Sequence, residues 1–273
     1  MELTLTTPSS IPLEVDTITL DLVRESSADA VKSTLIQRGN RQVPLGEFFD
    51  VTGSAADDDT LVWRGDCSKV KLIGNKLSGG RVIVEGNAGM HLGAEMNGGV
   101  IEVRGDASDW AGAEMHGGRI VVRGNAGHLV GAVYRGGRKG MTAGEILIHG
   151  NAGNEIGHSM RRGLIAVGGQ AGDFAGVGMI AGSVFVFGEP GIRNGAGMKR
   201  GTIAFFDAGK APEILPTFRY ACTYEPVFMR IYLRQLQQLG FPVRDEWLSG
   251  SWRRYCGDLL ELGKGELLVR EAA

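Results

Sequence analysis

Between Arg81 and Gly201 short apolar runs alternate with glycine-rich polar stretches, six times in succession. In register the units are RVIVEGNAGMHLGAEMNGG (81–99), VIEVRGDASDWAGAEMHGG (100–118) and RIVVRGNAGHLVGAVYRGG (from 119). They continue as EILIHGNAGNEIGHSMRRG (145–163), LIAVGGQAGDFAGVGMIAG (164–182) and SVFVFGEPGIRNGAGMKRG (183–201). The glycines that close the apolar runs are Gly86, Gly105, Gly124, Gly150, Gly169 and Gly188, at steps of 19, 19, 26, 19 and 19 residues. One unit therefore carries a seven-residue insertion. A fixed period of this length is the signature of a stacked-repeat architecture.

Alternation within each run assigns the faces. Four residues before the glycine stand Leu61, Val82, Ile101, Ile120, Ile146, Ile165, Val184 and Ile203. Two residues before it stand Trp63, Val84, Val103, Val122, Ile148, Val167, Val186 and Phe205. Both columns are apolar throughout and form the expected core face. The residue just before the glycine reads Arg64, Glu85, Arg104, Arg123, His149, Gly168, Phe187 and Phe206, charged at first and apolar at the end. A turn of ~19 residues is too short for a crossover helix, so like positions pair directly from coil to coil. The pattern predicts a mainly β chain, a parallel β-helix of about seven to eight coils over 61–207. Glycine at the corners is expected to supply positive φ or close backbone approach. The first coil, from Leu61, is irregular, with two extra residues before Gly74; the last begins at TIAFFD and puts Asp207 in the glycine position.

The flanks differ. Residues 1–60 read as a small α/β segment: LTLTTP and TITLDLV as strands, then SSADAVKSTLIQRG as a helix capped by Ser26 or Ser27 and stopped by Gly39. Pro44 and Gly46 bracket a turn before Phe48 and Phe49, and SAADDD (54–59) marks the boundary with the repeats. Residues 208–273 read as a helical cap and tail. YEPVFMRIYLRQLQQLGFP is an amphipathic helix with Pro226 in its first turn, Gly240 at its end and a stripe of Phe228, Ile231 or Tyr232, Leu236 and Leu239. Such a helix is expected to cover the open end of the coil, whose backbone groups would otherwise be unpaired. The final SWRRYCGDLLELGKGELLV holds a possible strand.

Composition narrows the classes. A 273-residue chain, 43% hydrophobic and 22% charged, can bury a substantial core. A formal net charge of −2 gives no reason to expect nucleic acid. The 44 glycines are periodic, but not at the three-residue period of collagen. Cys67, Cys222 and Cys256 are scattered, without the C-x-x-C of a zinc or iron–sulfur ligand set, and a reduced, cytoplasmic setting is expected. MELTLTTPSSIPLEVD lacks the apolar core of a signal peptide, and no run reaches the ~18 apolar residues of a membrane span.

The repeats offer little for catalysis. His91, His116, His128, His149 and His158 share no column, so no histidine ladder for a metal is expected. The column after the glycine (Asn87, Asp106, Asn125, Asn151, Gln170, Glu189) suits left-handed turns and stacked hydrogen bonds; the nonapeptide calcium repeats need an Asp per turn. Met96, Met115, Met160, Met179 and Met198 recur ten residues after the glycine, with Tyr134 in the same column, and read as packing. GNAG strings resemble phosphate loops but lack the following helix. One pair of columns invites a functional reading: Asn97-Gly98, His116-Gly117, Arg135-Gly136, Arg161-Arg162, Ile180-Ala181 and Lys199-Arg200, with Arg138 and Lys139 added by the insertion. These predict a broken basic ridge along one edge, suited to an extended anion or an acidic partner. The competing reading is an edge kept soluble by charge.

GNRQVPLGEFFDVTG (39–53), the glycine-rich coils, LPTFRYACTYEPVFMRIYLRQL and RRYCGDLLELGKGE together resemble the C subunit of formylmethanofuran dehydrogenase along almost the whole chain. The likeness is greater to its counterpart in the bacterial formyltransferase/hydrolase complex of methylotrophs. The coils alone also resemble the C-terminal glycine-rich domain of glutamate synthase. The resemblance implies a right-handed β-helix in a hetero-oligomer whose chemistry belongs to other chains: an amidohydrolase-like A subunit that releases formate, a B subunit, and a formyltransferase D subunit that works with tetrahydromethanopterin. Archaeal relatives add iron–sulfur clusters and a molybdenum or tungsten pterin subunit. The carrier that the resemblance implies is a methanofuran-type cofactor (methylofuran) with a polyanionic, glutamate-rich tail, an expected target for Arg135, Arg138, Lys139, Arg161, Arg162, Lys199 and Arg200. No cofactor is expected on this chain alone, and no catalytic residue or metal ligand is assigned. Two classes follow: a non-catalytic subunit of a one-carbon enzyme complex, hydrolytic or redox-active, or a stand-alone β-helix module.

Overall fold

The computed structural model describes residues 1–55, 58–206 and 212–271. Strand β1 (Glu2–Leu5) is followed by β2 (Leu13–Glu14), helices α1 (Leu20–Glu25) and α2 (Ala28–Ser33), and strands β3 (Leu35–Arg38), β4 (Arg41–Pro44) and β5 (Phe49–Thr52). The repeats supply β6 (Thr60–Arg64), β7 (Val70–Lys71), β8 (Arg81–Val84), β9 (Val100–Val103), β10 (Arg119–Val122), β11 (Glu145–Ile148), β12 (Leu164–Val167), β13 (Ser183–Val186) and β14 (Arg200–Phe205). The chain ends with β15 (Arg219–Tyr224), α3 (Val227–Gln238), β16 (Trp252–Gly257) and β17 (Lys264–Arg270).

The molecule is mainly β, built on one thirteen-stranded sheet in the order β15-β16-β17-β14-β13-β12-β11-β10-β9-β8-β6-β1-β5. From β6 to β14 every neighbour is the next rung, parallel and in the repeat's own register: Val82 opposite Ile101, Ile101 opposite Ile120, Ile120 opposite Ile146. A second row of parallel bridges on the return path links Cys67, Ala88, Ala107, Ala126, Ala152, Ala171 and Pro190. Both expected core columns are buried, from Leu61 and Trp63 to Ile203 and Phe205, and join one continuous core. The two extra residues of the first coil are used in β7, which pairs with β2 in a separate four-stranded sheet.

Glycine acts in two ways here. Gly86 has room for nothing else: a β-carbon there would stand 2.2 Å from the Gly65 carbonyl oxygen of the preceding rung. Gly93, seven residues on, has φ +60, where an L side chain is strained.

The N-terminal expectations are partly corrected. TITLDLV is not a strand; its second half is α1, because the Thr19 hydroxyl accepts from Leu22 N at 3.1 Å and Leu20 and Val23 are buried one turn apart. Ser27 caps α2 as expected, but the helix stops at Ser33. LIQR then forms β3, which turns at Gly39 to pair with β4. Proximity to β2 decides that segment, since Leu13 and Glu14 offer a strand partner.

The C-terminal helix is corrected twice. It lies on the outer face of the sheet, where Met229, Leu233 and Leu236 pack with Val121, Leu147, Leu164, Ala166 and Phe185. Full burial of each side chain is worth roughly 1.5–3 kcal/mol. Its buried stripe is therefore Met229, Leu233 and Leu236, while Phe228 and Ile231 face outward. The outward column that turns apolar at Phe187 and Phe206 marks where this cover begins: both rings pack against Trp247, and Phe187 also meets Phe241. The stack does not stop after β14. Strand β17 adds a further parallel rung, with Lys264 opposite Arg200 and Leu267 and Val269 extending the core columns of Ile203 and Phe205. Asp207 lies outside the described residues.

Candidate functional surface

The seven-residue insertion decides how the basic ridge is built. By count from Gly124, Tyr134 fills the methionine column; in the structure Met141 fills it. Met96, Met115, Met141, Met160, Met179 and Met198 are all fully buried. Backbone bonds confirm the phase: Met115 O accepts from Thr142 N at 2.7 Å, and Met141 O from Arg161 N at 2.8 Å. Residues 134–140 thus leave the rung as a loop, and Thr142-Ala143 take the column positions expected for Arg135-Gly136. The His116 ring Nδ1 lies 2.9 Å from the Thr142 hydroxyl, one rung on.

Of the seven ridge residues, Arg161, Arg162, Lys199 and Arg200 stand in the expected columns, on every second rung. Lys264 opposite Arg200 extends the edge by one more rung; about sixty residues of intervening chain hid it from the repeat pattern. Arg135, Arg138 and Lys139 instead project from the loop. Its root is fixed by Tyr134, whose backbone N donates to Glu114 Oε1 at 3.0 Å and whose hydroxyl lies 2.9 Å from His91 Nδ1. The Tyr134 ring stacks on Trp110 at 5.1 Å. Burial pushes the Tyr134 hydroxyl up to about 12, reinforced by Glu95 and Glu114, so it stays neutral. Burial, and then the Lys71 charge, hold His91 below the usual histidine range.

Charge pairing separates this edge from the rest of the sheet. On the sheet face Glu102 bridges Arg81 at 2.9 Å and Arg123 at 3.1 Å, and Glu85 bridges Arg64 at 2.8 Å and Arg104 at 3.1 Å. Burial acts to raise the Glu102 carboxyl, but the bonds from Arg81 and Arg123 outweigh it and hold it low. On the edge, Arg135, Arg138, Lys139, Arg161, Arg162 and Arg200 are exposed and, among the described residues, form no ion pair; Lys199 reaches only Glu261, at 4.0 Å. Beside the columns lie two open depressions that share Gly144 and Glu145, one lined also by Gly99, Gly118 and Arg119 and the other by Arg162, Gly163, Gly182 and Tyr232. An unpaired row of cations beside exposed backbone can hold an extended anion at several points.

The other repeat columns are construction. Asn87 Oδ1 accepts from Asp106 N at 2.9 Å, Asp106 from Asn125 N at 2.7 Å, Asn125 from Asn151 N at 2.9 Å and Asn151 from Gln170 N at 2.8 Å. A second ladder lies four residues after the glycine: Asp109 Oδ1 accepts from His128 N at 2.8 Å, and His128 Nδ1 from Asn154 N at 2.9 Å. Asn154 and Asp173 then accept from Asp173 N and Ile192 N. Mixed residue types masked this ladder in the sequence, although each carries an acceptor at the same reach. His149 stands 3.0 Å from Arg123 and packs on Phe241, and His158 bonds Glu155 at 3.0 Å. Among the described residues no three His, Cys, Asp or Glu side chains converge as a metal site, and no helix is long and apolar enough to cross a membrane.

Glycine-spaced rungs around a single core define a repeat protein whose distinctive chemistry is on its surface. Residues 71–215 match the GXGXG motif family. The C subunit of molybdenum-containing formylmethanofuran dehydrogenase 1 from Methanothermobacter marburgensis is 44% identical over 83 residues, 30% of this chain and 21% of that protein. The C subunit of tungsten-containing formylmethanofuran dehydrogenase 2 from Methanothermobacter wolfeii is 40% identical over 87 residues, 31% of this chain and 32% of that protein. The matched stretch thus spans about a fifth to a third of the length of these curated relatives. A chain of the formyltransferase/hydrolase complex FhcABCD from Methylorubrum extorquens, crystallised with methylofuran, superposes with a TM-score of 0.92 and 35% identity over 100% of both chains. The chain belongs to the family of formylmethanofuran dehydrogenase C subunits, within the GXGXG-motif proteins.

Proposed function

We propose that this chain is a non-catalytic, structural subunit of a hetero-oligomeric one-carbon enzyme complex of the formyltransferase/hydrolase type. In that complex formyl-tetrahydromethanopterin is converted to formate by way of a methanofuran-type carrier. The partners are an amidohydrolase-like A subunit, a B subunit and a formyltransferase D subunit, in the cytoplasm. The chain contributes a right-handed parallel β-helix of about seven to eight coils (61–207), extended by the β17 rung, between an N-terminal α/β segment (1–60) and a C-terminal region (208–273) that carries the covering helix α3. Its basic edge, Arg135, Arg138, Lys139, Arg161, Arg162, Lys199 and Arg200, contacts the anionic tail of methylofuran or an acidic partner surface. Full-length likeness to a chain of a complex crystallised with methylofuran supports this reading.

The observation that carries the edge assignment is the contrast in pairing: cations on the sheet face are matched by Glu85 and Glu102, whereas six on the edge have no partner among the described residues. Reversing Arg161, Arg162 and Lys199 to Glu in the assembled complex should lower the affinity for the carrier and flatten its salt dependence. An unchanged, equally salt-sensitive affinity would overturn the assignment. The relatives named for molybdenum and tungsten favour a second reading, a redox-active complex. Native purification separates the two: a co-purifying metal–pterin subunit would establish the redox form. Formyl transfer or hydrolysis by the isolated chain would overturn the non-catalytic role.

A further inference from the structure

The C-terminal end of the rung stack carries a second surface, adjoining the last of the basic columns. Along the return path each rung passes a backbone N–H forward: Glu95 N to Ala113 O at 2.8 Å, Ser159 N to Val177 O at 2.9 Å, Gly178 N to Ala196 O at 2.8 Å. At Gly197 the next carbonyl in the series is replaced by the Asp258 carboxylate, whose Oδ2 accepts from Gly197 N at 3.0 Å. The other oxygen accepts from Leu260 N at 3.0 Å. The Asp258 carbonyl takes Glu261 N at 3.1 Å and Gly263 N at 3.0 Å, and Leu259 N donates to Thr217 O at 3.0 Å. The turn 258–263 is therefore tied down at both ends and in the middle.

What this turn presents is apolar. Asp258 is only 4% exposed, but Leu259, Leu260 and Leu262 are 53%, 82% and 52% exposed. The backbone bonds hold the turn in a conformation that leaves these three side chains in water. A compact group of exposed leucines on rigid backbone marks a binding surface, and rigidity lowers the ordering cost of association. The charges around it are one-sided. Lys199, Arg200, Arg219 and Lys264 are exposed, Arg200 and Lys264 directly opposite each other in the sheet; among the described residues of the turn, Glu261 is the exposed carboxylate, 4.0 Å from Lys199.

From this geometry we infer that turn 258–263 docks as an apolar knob into a pocket of a neighbouring, different subunit, and that the pocket has a carboxylate-rich rim. The inference rests on the reading of the chain as one member of a complex. It goes beyond that reading by naming the apolar turn at the end of the stack, beside Lys199 and Arg200 of the basic edge, as a point where the chain holds a partner.

The test uses the complex expressed with its native partner subunits and purified through a tag on one of them. Leu260→Asp with Leu262→Asp should reduce the retained amount of this chain at least tenfold, while its thermal unfolding and circular dichroism stay unchanged. Leu260→Met should be retained as wild type. Lys264→Glu should be lost at a lower salt concentration than wild type. Full retention of the double Asp variant would overturn the knob while leaving the subunit reading intact. Failure of the wild-type chain to co-purify would overturn both the subunit reading and the knob. An isolated wild-type chain that is a dimer in light scattering, split by the double Asp substitution, would assign the surface to a second copy and overturn the inference.

Discussion

Met141 lies against Gly163 so closely that a β-carbon on that glycine would stand 2.6 Å from the methionine methyl. The same relation holds between Met160 and Gly182, and between Met179 and Gly201, at 2.8 Å in each. The inserted loop therefore leaves and rejoins the rung without disturbing its phase.

Deleting residues 134–140, to join Val133 directly to Met141, should leave the stack folded. The deletion removes the Tyr134 contacts with Trp110 and His91, about 1 kcal/mol for the stacked ring, together with the bonds from Tyr134 N to Glu114 and from Gly140 N to Ser159 O. Urea unfolding should show a single transition with a slightly lower midpoint; collapse of that transition would mean the loop is needed for the phase.

Two glycines that look alike in sequence should respond differently. Gly86→Ala forces a β-carbon onto the Gly65 carbonyl and should cost about 1–3 kcal/mol. Gly79→Ala meets nothing within 4 Å and should stay within about 0.5 kcal/mol of wild type. Chemical denaturation of both variants is sufficient to compare them.

The second ladder needs an acceptor, not a histidine. His128→Asn keeps an acceptor for Asn154 N, as Asn154 itself does for Asp173 N, and should be close to neutral. His128→Leu removes it, at about 1 kcal/mol, and amide exchange at Asn154 should quicken. Equal exchange in both variants would contradict the ladder.

Asp258 links the end of the stack to pH. Burial acts to raise its carboxyl, but the Leu260 and Gly197 amides outweigh that and hold it below the usual carboxylate range. A folded-state value below the unfolded one means stability that is fully present above the ordinary carboxylate range and is lost as pH falls through the depressed value. Asp258→Asn should therefore lower the unfolding midpoint at pH 7 and approach wild type near pH 2. A wild-type–variant difference independent of pH would exclude this role.

Much of the fold was legible along the chain because a rung repeats its own environment. The apolar columns from Leu61 to Ile203 meet like residues on either side, so periodicity alone identifies core and pairing partner. The glycine spacing follows from the same repetition. The ridge was legible only in part: Arg161, Arg162, Lys199 and Arg200 obey the count, but Arg135 does not, since counting cannot tell where an insertion begins. Local alternation does not decide the short N-terminal elements, where a single cap at Thr19, or a partner strand at Leu13, outweighs it.

The sequence by itself determined the repeat, its buried faces and the presence of a distinct C-terminal region, because these depend on positions that contact their own equivalents nineteen residues away. Tertiary structure alone decided where that region goes. Met229, Leu233 and Leu236 cover the outer sheet face because Val121, Leu147 and Phe185 offer apolar area there. It also decided that Lys264 follows Arg200 on the edge, and that Asp258 ends the stack by accepting from Gly197. Each of these joins residues more than forty positions apart, where no local period exists and only the packed chain brings the partners together.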